Sequence, residues 1–240
     1  MPNTQIDDLR VVRPRRLYEQ IADKIRAMIS DGTFAPGEAL PPERDLAERV
    51  GVSRPSIREA LIALETLGLI ETRQGGGNFV REDAGALKMI PVGAKGDLGP
   101  GTLEQFEARK AMECACAELA ALRAEPEEIE ALAASVLRME ALVARAVSPI
   151  AEHRVFHTLL ASSSHNQILA SAVAELWRVR DGAMWTTLRQ KVDRIESWVV
   201  GIAFRRELIA ALRRRDAPAA LSAMKAHFDR VGRMYFESDD

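Results

Sequence analysis

The stretch LPPERDLAERVGVSRPSIREALIALETLGLI, residues 40–70, decides the fold of the N-terminal part of the chain. Pro42 suits the first position of a helix, and Gly51 suits a helix end because glycine readily adopts a left-handed conformation. Ser53 is a good N-cap for the next helix, since its side-chain oxygen can accept a hydrogen bond from a free backbone N–H. The apolar positions of that next helix recur at helical spacing: Ile57, Leu61, Leu64 and Leu67. Two short helices joined by the turn at residues 51–53 are typical of a helix-turn-helix.

The sequence on either side completes a winged variant of this motif. Apolar residues recur at helical spacing along residues 17–31, which predicts an amphipathic helix. Residues 69–73 and 78–80 resemble two short strands, and the glycines at 75–77 favour a turn between them. We therefore predict a winged helix-turn-helix DNA-binding domain over residues 10–81.

Two arginines of the second helix of the motif are candidates for DNA contact. Arg54 and Arg58 stand four residues apart, so we expect them to share a face opposite the buried Ile57. A guanidinium can donate two hydrogen bonds to the O6 and N7 atoms of guanine. Ser56 should project near the tip of the same helix, and Arg44 can reach a phosphate or a base edge. Two isolated arginines would be read as a solvated helix face, but their place in a complete motif favours DNA contact.

Composition limits the class of protein. The chain has 240 residues, of which 47% are hydrophobic and 28% charged, enough for one large domain or two ordinary ones. Its net charge is −2, so DNA binding must depend on where positive charge is placed. No apolar stretch approaches the ~20 residues that a bilayer span needs, and residues 1–16 lack the apolar core of a secretion signal. These features predict a cytoplasmic protein.

The second half of the chain differs in character from the first. Residues 82–101 are rich in glycine and proline, which predicts a linker. From residue 102 to 237 the periodicity predicts an all-helical domain. We expect its helices at residues 102–124, 126–146, 149–163, 166–190, 192–214 and 216–237. The predicted fold class is mainly α: a winged helix-turn-helix followed by an all-α bundle.

Three runs within residues 40–70 resemble the GntR family of bacterial transcription regulators: LPPERDLA, VSRPSIREAL and LExxGLI. The resemblance covers about residues 17–81. It implies a homodimer that binds double-stranded operator DNA with an inverted repeat. The DNA contacts that the resemblance implies are Arg44, Ser53, Arg54, Ser56, Arg58, Gln74 and Gly75.

The helical half resembles the effector-binding and dimerisation domain (the FCD type) of the FadR branch of that family. The residues that carry this resemblance are Phe106, Glu107, Arg109, Glu113, Phe156, His157, Asn166, Ala211, Leu212, Asp216 and His227. Many members of this branch hold a metal through one aspartate and three histidines, and the metal helps to hold a carboxylate effector. This chain departs from the pattern twice: His153 stands where the aspartate would be, and Arg205 stands where one histidine would be.

The departures leave two interpretations of the helical domain open. The side chains of His153, His157 and His227 could together bind zinc or nickel, although the permanent charge of Arg205 would repel a cation. Alternatively, Arg205 clamps an anionic effector directly, because arginine suits a two-bond contact with a carboxylate. Arg109 would then be its companion, with the three histidines donating to effector oxygens. Arg109 could instead pair with Glu113, four residues further on in the same helix.

The sequence leaves three functions open. The first is a repressor of a catabolic operon that responds to a small carboxylate, and the whole chain resembles hexuronate-operon repressors. The second is a metal-dependent enzyme that uses the histidine cluster. The sequence offers no general base at a suitable spacing from these histidines, and an enzyme would leave the helix-turn-helix unexplained. The third is an architectural DNA-binding protein without an effector, which does not account for so large a helical domain. We therefore expect a regulator and not an enzyme.

Overall fold

The computed structural model describes residues 15–73, 76–84, 98–192 and 194–237. The N-terminal part contains three helices and a two-stranded antiparallel sheet. Their bounds are α1 Leu17–Ser30, α2 Glu43–Val50, α3 Arg54–Thr66, β1 Ile70–Arg73 and β2 Gly77–Val80. In the sheet, Ile70 pairs with Val80 and Arg73 pairs with Gly77. The predicted helix-turn-helix with a two-stranded wing is confirmed.

The turn between α2 and α3 forms for the reasons that the sequence suggests. Gly51 ends α2 with φ of 75°, a left-handed conformation that costs glycine little. Ser53 caps α3, and its side chain accepts a hydrogen bond from the Ser56 backbone N–H at 3.3 Å. The inward side chains Ile57, Leu61 and Leu64 are fully buried. The start of α3 is thereby fixed at the surface while its apolar face lies in the core.

The C-terminal part is an all-α bundle, as predicted. Its elements are α4 Thr102–Arg123, α5 Pro126–Ala144, α6 Ile150–Ser162, α7 Gln167–Val179, α8 Ala183–Val192, α9 Ile195–Arg213, α10 Ala217–Gly232 and a closing π-helical turn, Arg233–Glu237. The long helix α4 packs against α10, α6, α7 and α9, so it forms the centre of the bundle. No helix in the described ranges combines the length and the apolar character needed to cross a membrane.

One predicted helix, residues 166–190, is wrong. The chain leaves the helix after Val179 and re-enters one at Ala183, so α7 and α8 are separate. The Gly182 backbone N–H donates to the Val179 carbonyl at 3.0 Å, and a Cβ on Gly182 would lie 3.1 Å from that oxygen. The pair Asp181-Gly182 is a turn signal that the continuous periodicity obscures. The break places Arg180 at the end of α7, pointing into the bundle.

The helix α3 also packs against the C-terminal bundle. The carboxylate of Glu59 accepts hydrogen bonds from the Leu103 backbone N–H at 2.7 Å and the Thr102 hydroxyl at 3.2 Å, at the start of α4. A Cβ at position 101 would lie 2.6 Å from the nearer Glu59 oxygen, so a larger residue than Gly101 would displace this carboxylate. A second contact joins Thr66 to Thr187 of α8 at 2.9 Å. Much of the predicted linker, residues 85–97, lies outside the described residues.

Candidate DNA-binding and effector sites

The start of α3 presents polar side chains at the surface. Ser53 is exposed, and Arg54 and Ser56 are half-buried beside it. The hydroxyl oxygens of Ser53 and Ser56 lie 2.9 Å apart. The side chain of Arg44 is 75% exposed, with its nearest acid being Asp45 at 3.6 Å. In a helix-turn-helix the start of the second helix enters the major groove, so Ser53, Arg54 and Ser56 lie where DNA contacts are expected.

The expectation that Arg58 shares an exposed face with Arg54 is wrong in this arrangement. Arg58 is only 8% exposed. Its Nη2 and Nε atoms donate to one carboxylate oxygen of Glu43 at 2.6 and 2.9 Å. Its Nη1 atom donates to the backbone carbonyl of Tyr235, in the closing turn of the bundle, at 3.4 Å. The guanidinium thus joins α2, α3 and the bundle, and it would have to leave both partners to reach DNA.

The wing carries a basic residue that the sequence did not single out. The guanidinium carbon of Arg73 lies 4.2 Å from the centre of the Phe79 ring, and its Nε atom donates to Glu71 at 2.8 Å. The sequence could have indicated Arg73 as a candidate through its position at the end of the first predicted strand, beside a glycine-rich turn. The predicted wing contacts Gln74 and Gly75 lie outside the described residues.

The bundle brings His153, His157, His227 and Arg205 together. The ring centres of His153 and His157 are 4.5 Å apart, and His227 lies 6.2 and 5.5 Å from them. All four side chains are less than 10% exposed. The Nη2 atom of Arg205 contacts Nδ1 of His153 and lies 3.4 Å from Nε2 of His157, and Nη1 donates to the Gly201 carbonyl at 2.6 Å. The predicted cluster therefore exists, and Arg205 lies within it.

Glu113 anchors this cluster from α4. One carboxylate oxygen accepts from Arg109 Nε at 2.9 Å and from Trp177 Nε1 at 3.1 Å, and the other contacts Nδ1 of His157. The guanidinium carbon of Arg109 also lies 4.0 Å from the centre of the Trp177 ring. Arg109 thus adopts the alternative pairing with Glu113 and does not line the cavity beside Arg205. The role of Glu113 as the shared acceptor was missed, because the sequence shows only its spacing from Arg109.

Burial sets the charge state of these groups. Burial and the neighbouring Arg205 hold the pKa values of His153 and His227 well below the usual 6.5. Burial lowers the pKa of His157 to about 4, although Glu113 opposes the shift. Burial alone would raise the pKa of Glu113, but His157 and Arg109 lower it to about 2. At neutral pH the three imidazoles are therefore neutral and Glu113 is ionised.

These residues do not fit the metal site of the family pattern. A bound cation needs free imidazole lone pairs, yet the guanidinium of Arg205 contacts Nδ1 of His153 and faces Nε2 of His157. The remaining nitrogen of His157 is engaged by Glu113. Within the described ranges, no group of three or more His, Cys, Asp or Glu side chains could hold a metal ion. Two of the three imidazoles, those of His153 and His157, thus face a permanently charged arginine where a zinc or nickel ion would have to lie.

A cavity of about 50 Å³ opens beside the cluster. Its polar and aromatic lining includes His153, Arg180, Ser197, Trp198, Arg205 and His227. Ser197 and Trp198 are half-buried. The Nε atom of Arg205 and the Nδ1 atom of His227 have no hydrogen-bond partner in the described part of the chain. The cavity thus offers polar groups to a small molecule, and Arg180 is a member of it that sequence reasoning left out of the site.

Two family models match the chain along both of these parts. Residues 17–80 match "Bacterial regulatory proteins, gntR family", and residues 104–230 match "FCD domain". The chain belongs to the gntR family. It is a DNA-binding transcription regulator of the FCD type, and the FadR-type resemblance is confirmed.

Curated relatives cover nearly the whole regulator. It is 32% identical over 226 residues to the "Uxu operon transcriptional regulator" of Escherichia coli K12, covering 93% of this chain and 88% of that protein. It is 30% identical over 237 residues to the "Exu regulon transcriptional regulator" of the same organism, covering 97% and 90%. Among solved structures, E. coli McbR/YncC matches with a TM-score of 0.51 at 19% identity, covering 93% of this chain and 99% of that one. The last match shows the fold alone.

Proposed function

We propose that this regulator is a repressor of a catabolic operon whose effector is a small sugar acid of the hexuronate kind. The observation that carries the proposal is Arg205, a buried guanidinium with a free Nε donor at the wall of a cavity. None of its hydrogen bonds described above goes to a carboxylate. An incoming carboxylate would supply that partner. The relatives named for the Uxu operon and the Exu regulon support the sugar-acid class.

We further propose that the two parts of the chain have different functions. Residues 10–81 bind DNA, 82–101 link, and 102–237 bind the effector and dimerise. A homodimer in the cytoplasm would read an inverted repeat, because the two-fold axis of a dimeric reader is mirrored in its operator. The contacts proposed for DNA are Arg44, Ser53, Arg54, Ser56, Gln74 and Gly75, with Arg58 joining only if it leaves Glu43.

Arg54→Ala should weaken operator binding by roughly 1–3 kcal/mol, about 5- to 150-fold, if Arg54 contacts a base. The operator is first obtained by in-vitro selection from a randomised duplex library. Affinity is then measured by gel-shift titration at fixed salt, since phosphate contacts make it salt-dependent. Arg145→Ala is the matched control, an exposed arginine at the end of α5. Equal affinities of Arg54→Ala and Arg145→Ala would remove Arg54 from the reading surface.

Tyr235 connects the proposed effector cavity to α3, the helix proposed to read DNA. Tyr235 lines the cavity, and its backbone carbonyl accepts the hydrogen bond from Arg58 of α3. Its ring packs edge-on against Trp185, with the centres 5.7 Å apart. A ligand that widens the cavity on the side of Tyr235 would push on this turn, and the turn contacts α3. This contact supports a regulator whose DNA affinity changes with effector occupancy.

Arg205→Ala should weaken the response to a sugar acid and leave operator binding intact. A charge-assisted hydrogen bond contributes about 1.5–3 kcal/mol, so effector affinity should fall by about 10- to 150-fold. The measurement is isothermal titration with D-glucuronate and D-galacturonate, together with gel shifts at increasing ligand. Arg206→Ala is the control. Arg206 is the next residue in the chain, but its guanidinium is exposed and pairs with Glu140 at 2.6 Å. A normal response in Arg205→Ala would refute the clamp.

A further inference from the structure

A second buried guanidinium faces the same cavity as Arg205. Arg180 ends α7 and is only 4% exposed. Its guanidinium carbon lies between two indole rings, 4.7 Å from the centre of Trp177 and 4.9 Å from that of Trp185. Its Nε and Nη1 atoms have no hydrogen-bond partner among the described residues. The aromatic faces hold the side chain in place but leave charged N–H donors unsatisfied, which is costly in a buried site.

The charges around the cavity do not balance. The buried guanidiniums of Arg109, Arg180 and Arg205 share the region with Glu113, the only buried acid in the described part of the bundle. Glu113 is already committed to Arg109, Trp177 and His157. The nearby imidazoles are neutral and add no charge. Two positive charges therefore remain without a buried counterion, and buried charges need partners.

The titration behaviour of the two arginines agrees with this imbalance. Burial, followed by repulsion from Arg109, lowers the pKa of Arg180 to about 9. Burial lowers the pKa of Arg205 to about 10, since the attraction of Glu113 only partly offsets it. Both remain charged at neutral pH. An anion in the cavity would stabilise both charges.

We propose that Arg180 and Arg205 form a two-point anion site, so that the preferred effector carries two anionic groups on one short polyhydroxylated chain. This inference rests on the proposed sugar-acid function and narrows its ligand class. The cavity of about 50 Å³ has room for about three or four water molecules. A sugar acid is larger than this space and must widen the cavity as it binds, but both guanidiniums line the same small space, so one molecule can reach both. Ser197 and His227 also line the cavity, and their side chains can form hydrogen bonds with hydroxyl groups.

The test compares three probes on the full-length protein by isothermal titration at neutral pH. D-Glucuronate carries one carboxylate, D-glucarate carries two, and 6-phospho-D-gluconate carries a carboxylate and a phosphate. We expect D-glucarate or the phosphorylated acid to bind at least tenfold more tightly than D-glucuronate. The tighter of the two identifies whether the second anionic group is a carboxylate or a phosphate.

Variants of Arg180 assign the preference to that residue. Arg180→Gln should remove the advantage of the doubly charged probes, so that D-glucarate and 6-phospho-D-gluconate bind this variant no more tightly than D-glucuronate does. Arg180→Lys keeps the positive charge and should retain part of the advantage. Arg178→Gln is the control on the same helix, because its side chain is 68% exposed and pairs with Glu175. Circular dichroism and thermal unfolding confirm that each variant is folded.

The outcomes separate this inference from the proposed function. Equal binding of singly and doubly charged probes to the unaltered protein overturns the two-point site and leaves the sugar-acid proposal standing. A preference that survives in Arg180→Gln also overturns it, because the second anion would then bind elsewhere. No binding of any probe refutes the sugar-acid proposal and the two-point site together.

Discussion

Replacing Glu113 with alanine should lower the free energy of unfolding of the C-terminal bundle by roughly 3–5 kcal/mol, the usual cost of breaking a buried ion pair. Glu113 is 1% exposed and Arg109 3% exposed, so water cannot take over the lost contacts. The substitution leaves Arg109, Trp177 and His157 without their shared acceptor. The destabilisation is measured by urea unfolding followed by circular dichroism.

The control for this prediction lies on the same helix. Glu118→Ala removes an exposed carboxylate of α4 and should change stability by less than about 0.5 kcal/mol. Glu113→Gln keeps the size of the side chain and one acceptor oxygen, so it should fall between the two. A loss below about 1 kcal/mol for Glu113→Ala would show that water or a rearranged side chain satisfies Arg109, contrary to the buried network.

The fold was predictable because its signals are local. The Gly51 turn, the Ser53 cap and the helical spacing of Ile57, Leu61 and Leu64 all lie within a short stretch. Each acts through backbone conformation or periodicity that neighbouring residues determine. The same reasoning failed at residues 180–182, where a turn signal interrupts an apolar periodicity that otherwise continues. A local pattern with two competing signals does not decide between one helix and two.

The error at Arg58 has a different origin. Its spacing from Arg54 is local, but its partners are not: Glu43 lies 15 residues away and Tyr235 lies 177 residues away along the chain. Helical spacing places both arginines on the same face of α3, but it cannot show that another element covers one of them. Only the packing of the bundle against α3 does so.

The candidate effector site was predictable only in part, because some of its contacts also join residues far apart in the sequence. The family pattern brought His153, His157, His227 and Arg205 to one place, and the structure confirms that they meet. The sequence could not show whether Arg109 lines the cavity or pairs with Glu113. It also gave no sign that Arg180 turns inward, because that depends on the break between α7 and α8. Charge balance in the cavity is a property of packing and not of spacing.

Acidification should destabilise the regulator strongly between pH 7 and pH 5. The pKa values of His153, His157 and His227 are lowered in the folded state by burial, so these imidazoles stay neutral while those of the unfolded chain gain protons below 6.5. The unfolded state then binds more protons, and stability falls as pH decreases. Glu113 does not contribute in this window, because the stabilisation from its lowered pKa is lost only as pH falls from 4.5 towards about 2.

Each imidazole that stays neutral in the folded state down to pH 5 costs at most about 2 kcal/mol relative to pH 7, because only the unfolded chain gains that proton. The measurement is urea unfolding at several pH values, with a chelator present so that trace metal does not bind the imidazoles. His227→Leu removes one buried titrating group and should reduce the loss by about a third. His165→Leu is the matched control, since the side chain of His165 is 41% exposed. A stability that stays constant from pH 7 to pH 5 would mean that the buried imidazoles accept protons in the folded state, which the guanidinium of Arg205 beside them opposes.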